Sequence, residues 1–150
     1  MRPGTIFLSS FHQLPNDQQE RELLVVLNDG RQHPYITVTT TSQPHEKRGN
    51  QYGCQLNDEL PSFFLPLHST YLKEETWIRF DTIAELSPTK LKKLYEQGEL
   101  EKVCNLPKKI LEKLLVCAIS CRQITENQKN ELWRILSKIE DYFQDNNLID

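Results

Sequence analysis

The feature that most constrains the fold is an unbroken run of five aliphatic residues, 23–27, which ends at Asn28-Asp29-Gly30. Five residues is the usual length of a strand rather than a helix, and a run with no polar position is typical of a strand covered on both faces. An Asp-Gly pair after such a run is a strong turn signal, because glycine accepts a positive φ. We therefore expect the first half of the chain to consist of short strands joined by turns.

Other segments of the first half have the same character. Residues 35–41 (YITVTTT) are dense in β-branched side chains, which favour a pleated sheet over a helix. Residues 42–51 are polar and contain Pro44 and Gly49, which predicts a long loop. No segment here suits a helix that connects parallel strands, so the pattern predicts an antiparallel barrel or sandwich. The predicted strands are residues 6–8, 23–27, 35–41, 52–56, 62–67 and 76–81.

After Pro88 the spacing of apolar residues changes to that of helices. A first helix is expected between Pro88 and Gly98, and a second after Pro107. Thr125 and Gln128 have the spacing of a capping box, which predicts the start of a third helix. Packing of the apolar helix faces against the sheet is the favoured interpretation, with a dimer surface as the alternative. The sequence thus predicts an α+β protein, mainly β, with a β domain in residues 1–86 and a helical extension in residues 87–150 packed on it.

Charge and composition argue against several classes of function. The formal net charge is −3, whereas a protein that coats duplex DNA through many phosphate contacts is usually basic. No apolar run approaches the roughly 20 residues that span a bilayer, and the first residues lack the apolar segment of a signal peptide. We expect a cytoplasmic protein that has no membrane partner.

The four cysteines are Cys54, Cys104, Cys117 and Cys121. Cys117 and Cys121 stand four residues apart in an apolar segment, so a helix would place both on one face. No pair has the spacing of a zinc site. Buried, reduced thiols are the favoured interpretation, with a disulfide or a metal site as the alternatives.

Three polar features stand beside or within the predicted strands. Arg79 and Asp81 alternate with apolar residues, so both side chains should leave the strand on one face. Thr41 and Ser42 end the threonine-rich strand, and Arg21 precedes the aliphatic run. The simplest explanations are a solvated ion pair worth less than about 1 kcal/mol and threonines on an exposed sheet face.

Four segments that contain these features follow one another in an informative order: residues 2–7 (RPGTIF), 21–29 (RELLVVLND), 37–42 (TVTTTS) and 76–81 (TWIRFD). They resemble, in turn, the opening strand, the R-P-V-L-V-I-Q-N-D motif, the strand ending in Thr-Ser, and the later Arg-and-Asp strand of the PemK/MazF-type (Kid-like) toxins of toxin–antitoxin systems. The resemblance covers about residues 2–100.

This resemblance implies an SH3-like antiparallel barrel of the CcdB/PemK type, usually homodimeric, that cleaves single-stranded RNA without a metal or other cofactor. Its second partner would be a cognate antitoxin protein. On the family pattern, Arg21 stabilises the phosphate, Thr41 positions it, and Ser42 adds a second hydroxyl. Arg79 and Asp81 match the catalytic pair, in which arginine, a poor proton donor, is better suited to stabilising charge.

The chain departs from the family pattern at two positions. Thr5 stands where many members keep an acidic residue, and Glu22 replaces the proline that follows Arg21. Alternation along the strand predicts that Glu22 faces away from the groove. Lys47 and Arg48, in the long loop, are candidates for gripping RNA, although a solvated flexible loop explains them equally well.

The leading interpretation is therefore a metal-independent endoribonuclease toxin. The alternative is a non-catalytic SH3-like module that binds a protein or a nucleic acid, which the pI of about 5.8, Thr5 and Glu22 favour. A third interpretation is a protein that regulates a partner through its C-terminal helices.

Overall fold

The computed structural model describes residues 1–10, 22–57, 59–70 and 72–144. The strands are β1 (Thr5–Ser9), β2 (Glu22–Val26), β3 (Tyr35–Thr41), β4 (Gly53–Gln55), β5 (Ser62–Leu65), β6 (Thr76–Leu86) and β7 (Leu100–Asn105). The helices are α1 (Pro88–Glu96), α2 (Lys108–Ile119) and α3 (Glu126–Ser137), and a 3-10 turn follows at Ile139–Tyr142.

The strands form one antiparallel sheet in the order β4-β5-β6-β3-β2-β1-β7. The predicted α+β class, mainly β and antiparallel, is therefore confirmed. Within the described ranges no pairing joins β7 back to β4. The sheet is thus open at two edges, and closure into a barrel is not shown.

The sequence pattern did not predict β7, which lies in the segment expected to be helical. It pairs with β1, so that Phe7 is opposite Lys102 and Ser9 is opposite Leu100. Of its first four residues only Leu100 is buried. An edge strand of this kind has neither an apolar run nor a full alternation, and its sequence therefore gives little sign of a strand.

The three predicted helices are present, and two of them begin at side-chain caps. Ser87 Oγ accepts a hydrogen bond from the Lys90 amide at the start of α1. At α3, Thr125 Oγ1 accepts from the Gln128 amide at 3.2 Å, and Gln128 Oε1 accepts from the Thr125 amide at 2.9 Å. The predicted capping box is confirmed. None of the helices in the described ranges has the length and apolar character that a membrane crossing requires.

The two faces of the sheet are covered by different helices. The apolar faces of α2 and α3 pack on one face, against inward side chains such as Val25 and Ile78. On the other face, α1 covers the part near β1 and β2. The part of this second face that β3 and β6 form carries polar side chains, among them Thr39 and Arg79.

The predicted Asp-Gly turn is joined to the C-terminal helices by the carboxylate of Asp29. This side chain is 1 % exposed. It accepts hydrogen bonds from Arg134 Nη2 at 2.8 Å, Tyr142 Oη at 2.6 Å and the Arg31 amide at 3.1 Å. Burial alone would raise the pKa of Asp29, but these hydrogen bonds outweigh it and hold the pKa well below its usual range.

The expectation of four reduced cysteines is wrong for two of them. Cys54 on the edge strand β4 forms a disulfide with Cys117 on α2, with 5.5 Å between their Cα atoms. The partners are 63 residues apart in sequence, so only the fold brings them together. Cys104 and Cys121 are free thiols, and burial raises the pKa of both.

Candidate functional site

Arg79 and Asp81 lie on the same face of β6 and form a two-contact ion pair. The distance from Arg79 Nε to Asp81 Oδ1 is 3.3 Å, and that from Nη2 to Oδ2 is 2.8 Å. Ile78 and Phe80, on the opposite face, are fully buried. The predicted alternation is therefore confirmed, and the two charged groups, whose side chains are 28 % and 33 % exposed, remain open to solvent.

A cavity of about 580 Å³ lies beside this pair, where β3 ends. Thr41, Ser42 and Arg79 all line it. The strand register explains why they meet: Arg79 is opposite Thr39 across the β3–β6 pair, and Thr41 is opposite Trp77. The structure thus brings together three residues that the sequence singled out from two segments more than 30 positions apart, and Asp81 joins them through Arg79.

Arg21, predicted to stabilise the phosphate, lies outside the described residues, so its place in the cavity stays a prediction. The expectation that Glu22 faces away is wrong, because Glu22 lines the cavity with Thr41 and Arg79. Leu24 is opposite Thr39 in the register, and Glu22, two residues earlier, follows the same face of the sheet. A carboxylate in this position weakens the attraction of the cavity for anions.

The two basic loop residues have different surroundings. The ammonium group of Lys47 is paired with the carboxylate of Glu59. Arg48 instead lies within the electrostatic influence of the ion pair on β6. Burial is the main cause that lowers the pKa of Arg48; the charge of Arg79 lowers it further, and that of Asp81 raises it.

Sequence reasoning missed several side chains that shape this face. Thr82 Oγ1 donates a hydrogen bond to the Arg79 carbonyl at 2.7 Å and accepts one from the Thr39 amide at 2.9 Å, at the irregularity in the β3–β6 pairing. Ser62, opposite Arg79 on β5, is fully buried. Within the described ranges, Ser62 Oγ and Thr39 Oγ1 have no hydrogen-bond partner. Only the strand register identifies these groups as neighbours of Arg79.

No group of three or more His, Cys, Asp or Glu side chains that could hold a metal ion occurs in the described part of the chain. No protein-family model matches the sequence, and no curated protein matches it either. The resemblance to the PemK/MazF-type toxins therefore rests on the four short motifs alone.

Proposed function

We propose that the protein binds single-stranded RNA at this cavity and cleaves it as a metal-independent endoribonuclease. The observation that carries the proposal is that Thr41, Ser42 and Arg79 line one cavity while Arg79 holds Asp81 beside it. A carboxylate can accept the proton of a ribose 2′-hydroxyl, and a guanidinium and hydroxyls can stabilise the charge that develops on the phosphorus.

In the proposed reaction, the ribose 2′-oxygen forms a bond to the adjacent phosphorus, and the bond from phosphorus to the 5′-oxygen breaks. Asp81 accepts the proton of the 2′-hydroxyl, and a solvent water molecule donates a proton to the leaving 5′-oxygen as it departs. Arg79 stabilises the added negative charge of the pentacoordinate phosphorus, assisted by the hydroxyls of Thr41 and Ser42. The products are a 2′,3′-cyclic phosphate and a 5′-hydroxyl end. Arg21 is proposed as a second cation at the phosphate.

The biological setting implied by the resemblance belongs to the same proposal. The protein would be the toxin of a toxin–antitoxin pair, inhibited by a cognate antitoxin and acting as a homodimer with an SH3-like sheet. Disulfides are rare in reducing compartments, so action in the cytoplasm requires that the fold survive reduction of Cys54–Cys117.

A non-catalytic binding module is the second candidate, and two observations favour it. Both carboxylate oxygens of Asp81 already accept hydrogen bonds from Arg79. In addition, Glu22 places a negative charge in the cavity. Each feature lowers the readiness of the site to activate a hydroxyl group, without preventing it from binding a polar ligand.

Incubation of the purified protein with a long single-stranded RNA in excess chelator tests the proposal. We expect discrete cuts that end in cyclic phosphates, and a loss of about 100-fold or more in rate for Asp81→Asn and for Arg79→Gln. Lys92→Gln is the matched control, because Lys92 lies on α1, is well exposed and pairs with Glu96 at 3.9 Å, away from the cavity.

The outcomes separate the two candidates. Intact RNA at high protein concentration, or cuts that persist in both site variants, would overturn the nuclease proposal. RNA that is bound but never cut would establish the binding module instead.

A further inference from the structure

We propose that Arg48 and Arg79 together form a two-arginine site for one phosphodiester group of single-stranded RNA. This inference rests on the proposed function, since Arg79 lines the cavity of that function and Arg48, which does not line it, would bind the same RNA beside it. It also assigns different roles to the neighbouring residues Lys47 and Arg48, which the sequence alone treats as one basic patch.

The position of Arg48 is fixed by the attachment of its loop to the sheet. Trp77 Nε1 donates a hydrogen bond of 2.9 Å to the carbonyl of Gly49, the residue after Arg48. Trp77 precedes Arg79 by two residues on β6 and therefore lies on the same face of the sheet. A turn closed by the hydrogen bond from the Arg48 amide to the His45 carbonyl, at 2.9 Å, holds the loop on its other side. The loop thus carries Arg48 to the face that presents Arg79.

The guanidinium of Arg48 has unused hydrogen-bonding capacity. Its Nε is buried and has no hydrogen-bond partner within the described ranges. A buried donor without a partner costs about 1–3 kcal/mol. An oxygen atom of a bound ligand would supply the missing acceptor.

The charges near Arg48 suit a monoanion. The charges of Arg79 and Asp81 both act on Arg48, and Asp81 occupies Nε and Nη2 of Arg79. Two guanidinium groups and one carboxylate leave a formal charge of +1, which the Glu22 carboxylate in the cavity beside Arg79 opposes. A phosphodiester, which carries one negative charge, would neutralise the group while Asp81 stays in place. Arginine suits this role because its planar donors match phosphate oxygens.

Lys47 provides the matched comparison. It is adjacent in sequence and carries the same charge, but its ammonium group is already paired with Glu59. A general basic patch would use both residues equally, whereas the two-arginine site uses only Arg48.

The test measures binding of a 2′-O-methyl oligonucleotide, which cannot be cleaved because it lacks the attacking hydroxyl. Charge-assisted hydrogen bonds of about 1.5–3 kcal/mol correspond to a loss of roughly 10- to 100-fold in affinity for Arg48→Gln. The slope of log affinity against log salt should fall by about 0.7, the value for one phosphate contact on a single strand. Lys47→Gln should change the affinity less than about threefold, because an exposed, already paired charge is screened.

The result distinguishes the two proposals. Equal losses in Arg48→Gln and Lys47→Gln, or no binding by the unmodified protein, would overturn the two-arginine site. If the unmodified protein cuts RNA but Arg48→Gln binds the oligonucleotide normally, the nuclease proposal is supported and the two-arginine site is refuted. If binding depends on Arg48 but RNA is never cut, the site stands and the nuclease proposal falls. Circular dichroism melts confirm that each variant is folded.

Discussion

Replacement of Asp29 by asparagine tests how the turn after β2 is held to the C-terminal helices. The substitution keeps the size of the side chain but removes the charge that Arg134 contacts at 2.8 Å. Loss of one partner from a buried ion pair costs about 3–5 kcal/mol. We expect a value near the lower end, about 3 kcal/mol, because Arg134 keeps its pairing with Glu131 at 2.7 Å and its side chain is 20 % exposed.

The pH dependence gives this prediction its sharpest form. The hydrogen bonds that Asp29 accepts lower its pKa in the folded state, whereas an unfolded chain leaves it near 3.9. A carboxyl group with a depressed pKa stabilises the fold above its unfolded pKa, and that stabilisation is lost as the pH falls toward the folded value. The difference between the native protein and Asp29→Asn should therefore be largest at neutral pH and shrink from about pH 5 downward.

The assay is urea denaturation followed by circular dichroism, at pH 7 and at pH 3, without reductant. Asp81→Asn serves as the control, since Asp81 also contacts an arginine through both oxygens but is exposed, and its loss should cost less than about 1 kcal/mol. The reasoning would be refuted if Asp29→Asn were as mild as this control. It would also be refuted if its cost were the same at both pH values.

Two further predictions concern the backbone and the disulfide. Gly30→Ala should destabilise the fold more than Gly98→Ala, although both glycines have positive φ. A Cβ at Gly30 would lie 2.4 Å from the Tyr35 ring, whereas a Cβ at Gly98 would enter open space among the described residues. Thermal melts should separate them by about 1–3 kcal/mol, and equal melts would contradict the steric argument. Cys54→Ser should cost about 4 kcal/mol for the 63-residue separation that the disulfide closes, against less than about 1 kcal/mol for Cys104→Ser. Reductant should lower the urea midpoint of the native protein to that of Cys54→Ser, and an unchanged midpoint would count against the bond.

Local signals were sufficient to predict most elements of the fold. β3 has the predicted bounds, Tyr35–Thr41, because a run of β-branched residues favours a strand wherever it packs. The capping box at Thr125 places the start of α3, because both of its hydrogen bonds lie within four residues. β7 and the Cys54–Cys117 pair could not be predicted in the same way. Each depends on which distant segment folds beside it, and the local sequence pattern does not indicate that segment.

In the candidate site, too, the features that depend on local sequence could be predicted, and those that depend on distant contacts could not. Alternation on β6 is a local property, and it gave the common face of Arg79 and Asp81. The orientation of Glu22 depends on how β2 aligns with β3, and a single-strand argument about its neighbour Arg21 gave the wrong face. Arg48 differs from Lys47 through contacts that only the fold makes: the Gly49 carbonyl accepts a hydrogen bond from Trp77, 28 residues away in sequence, and Lys47 pairs with Glu59.

The residues that stabilise the fold and those proposed to act on RNA lie on opposite faces of the sheet. Asp29, α2 and α3 secure the face that holds the larger apolar cluster, whereas Arg79 and Asp81 stand on the opposite face as a partly exposed pair worth less than about 1 kcal/mol. Substitutions at this pair should therefore leave the protein folded. A loss of RNA cleavage in Asp81→Asn or Arg79→Gln can then be attributed to the site itself, provided that their melts match that of the native protein. A site built into the apolar cluster would not allow that inference, because each of its variants would unfold the chain as well as remove a catalytic group.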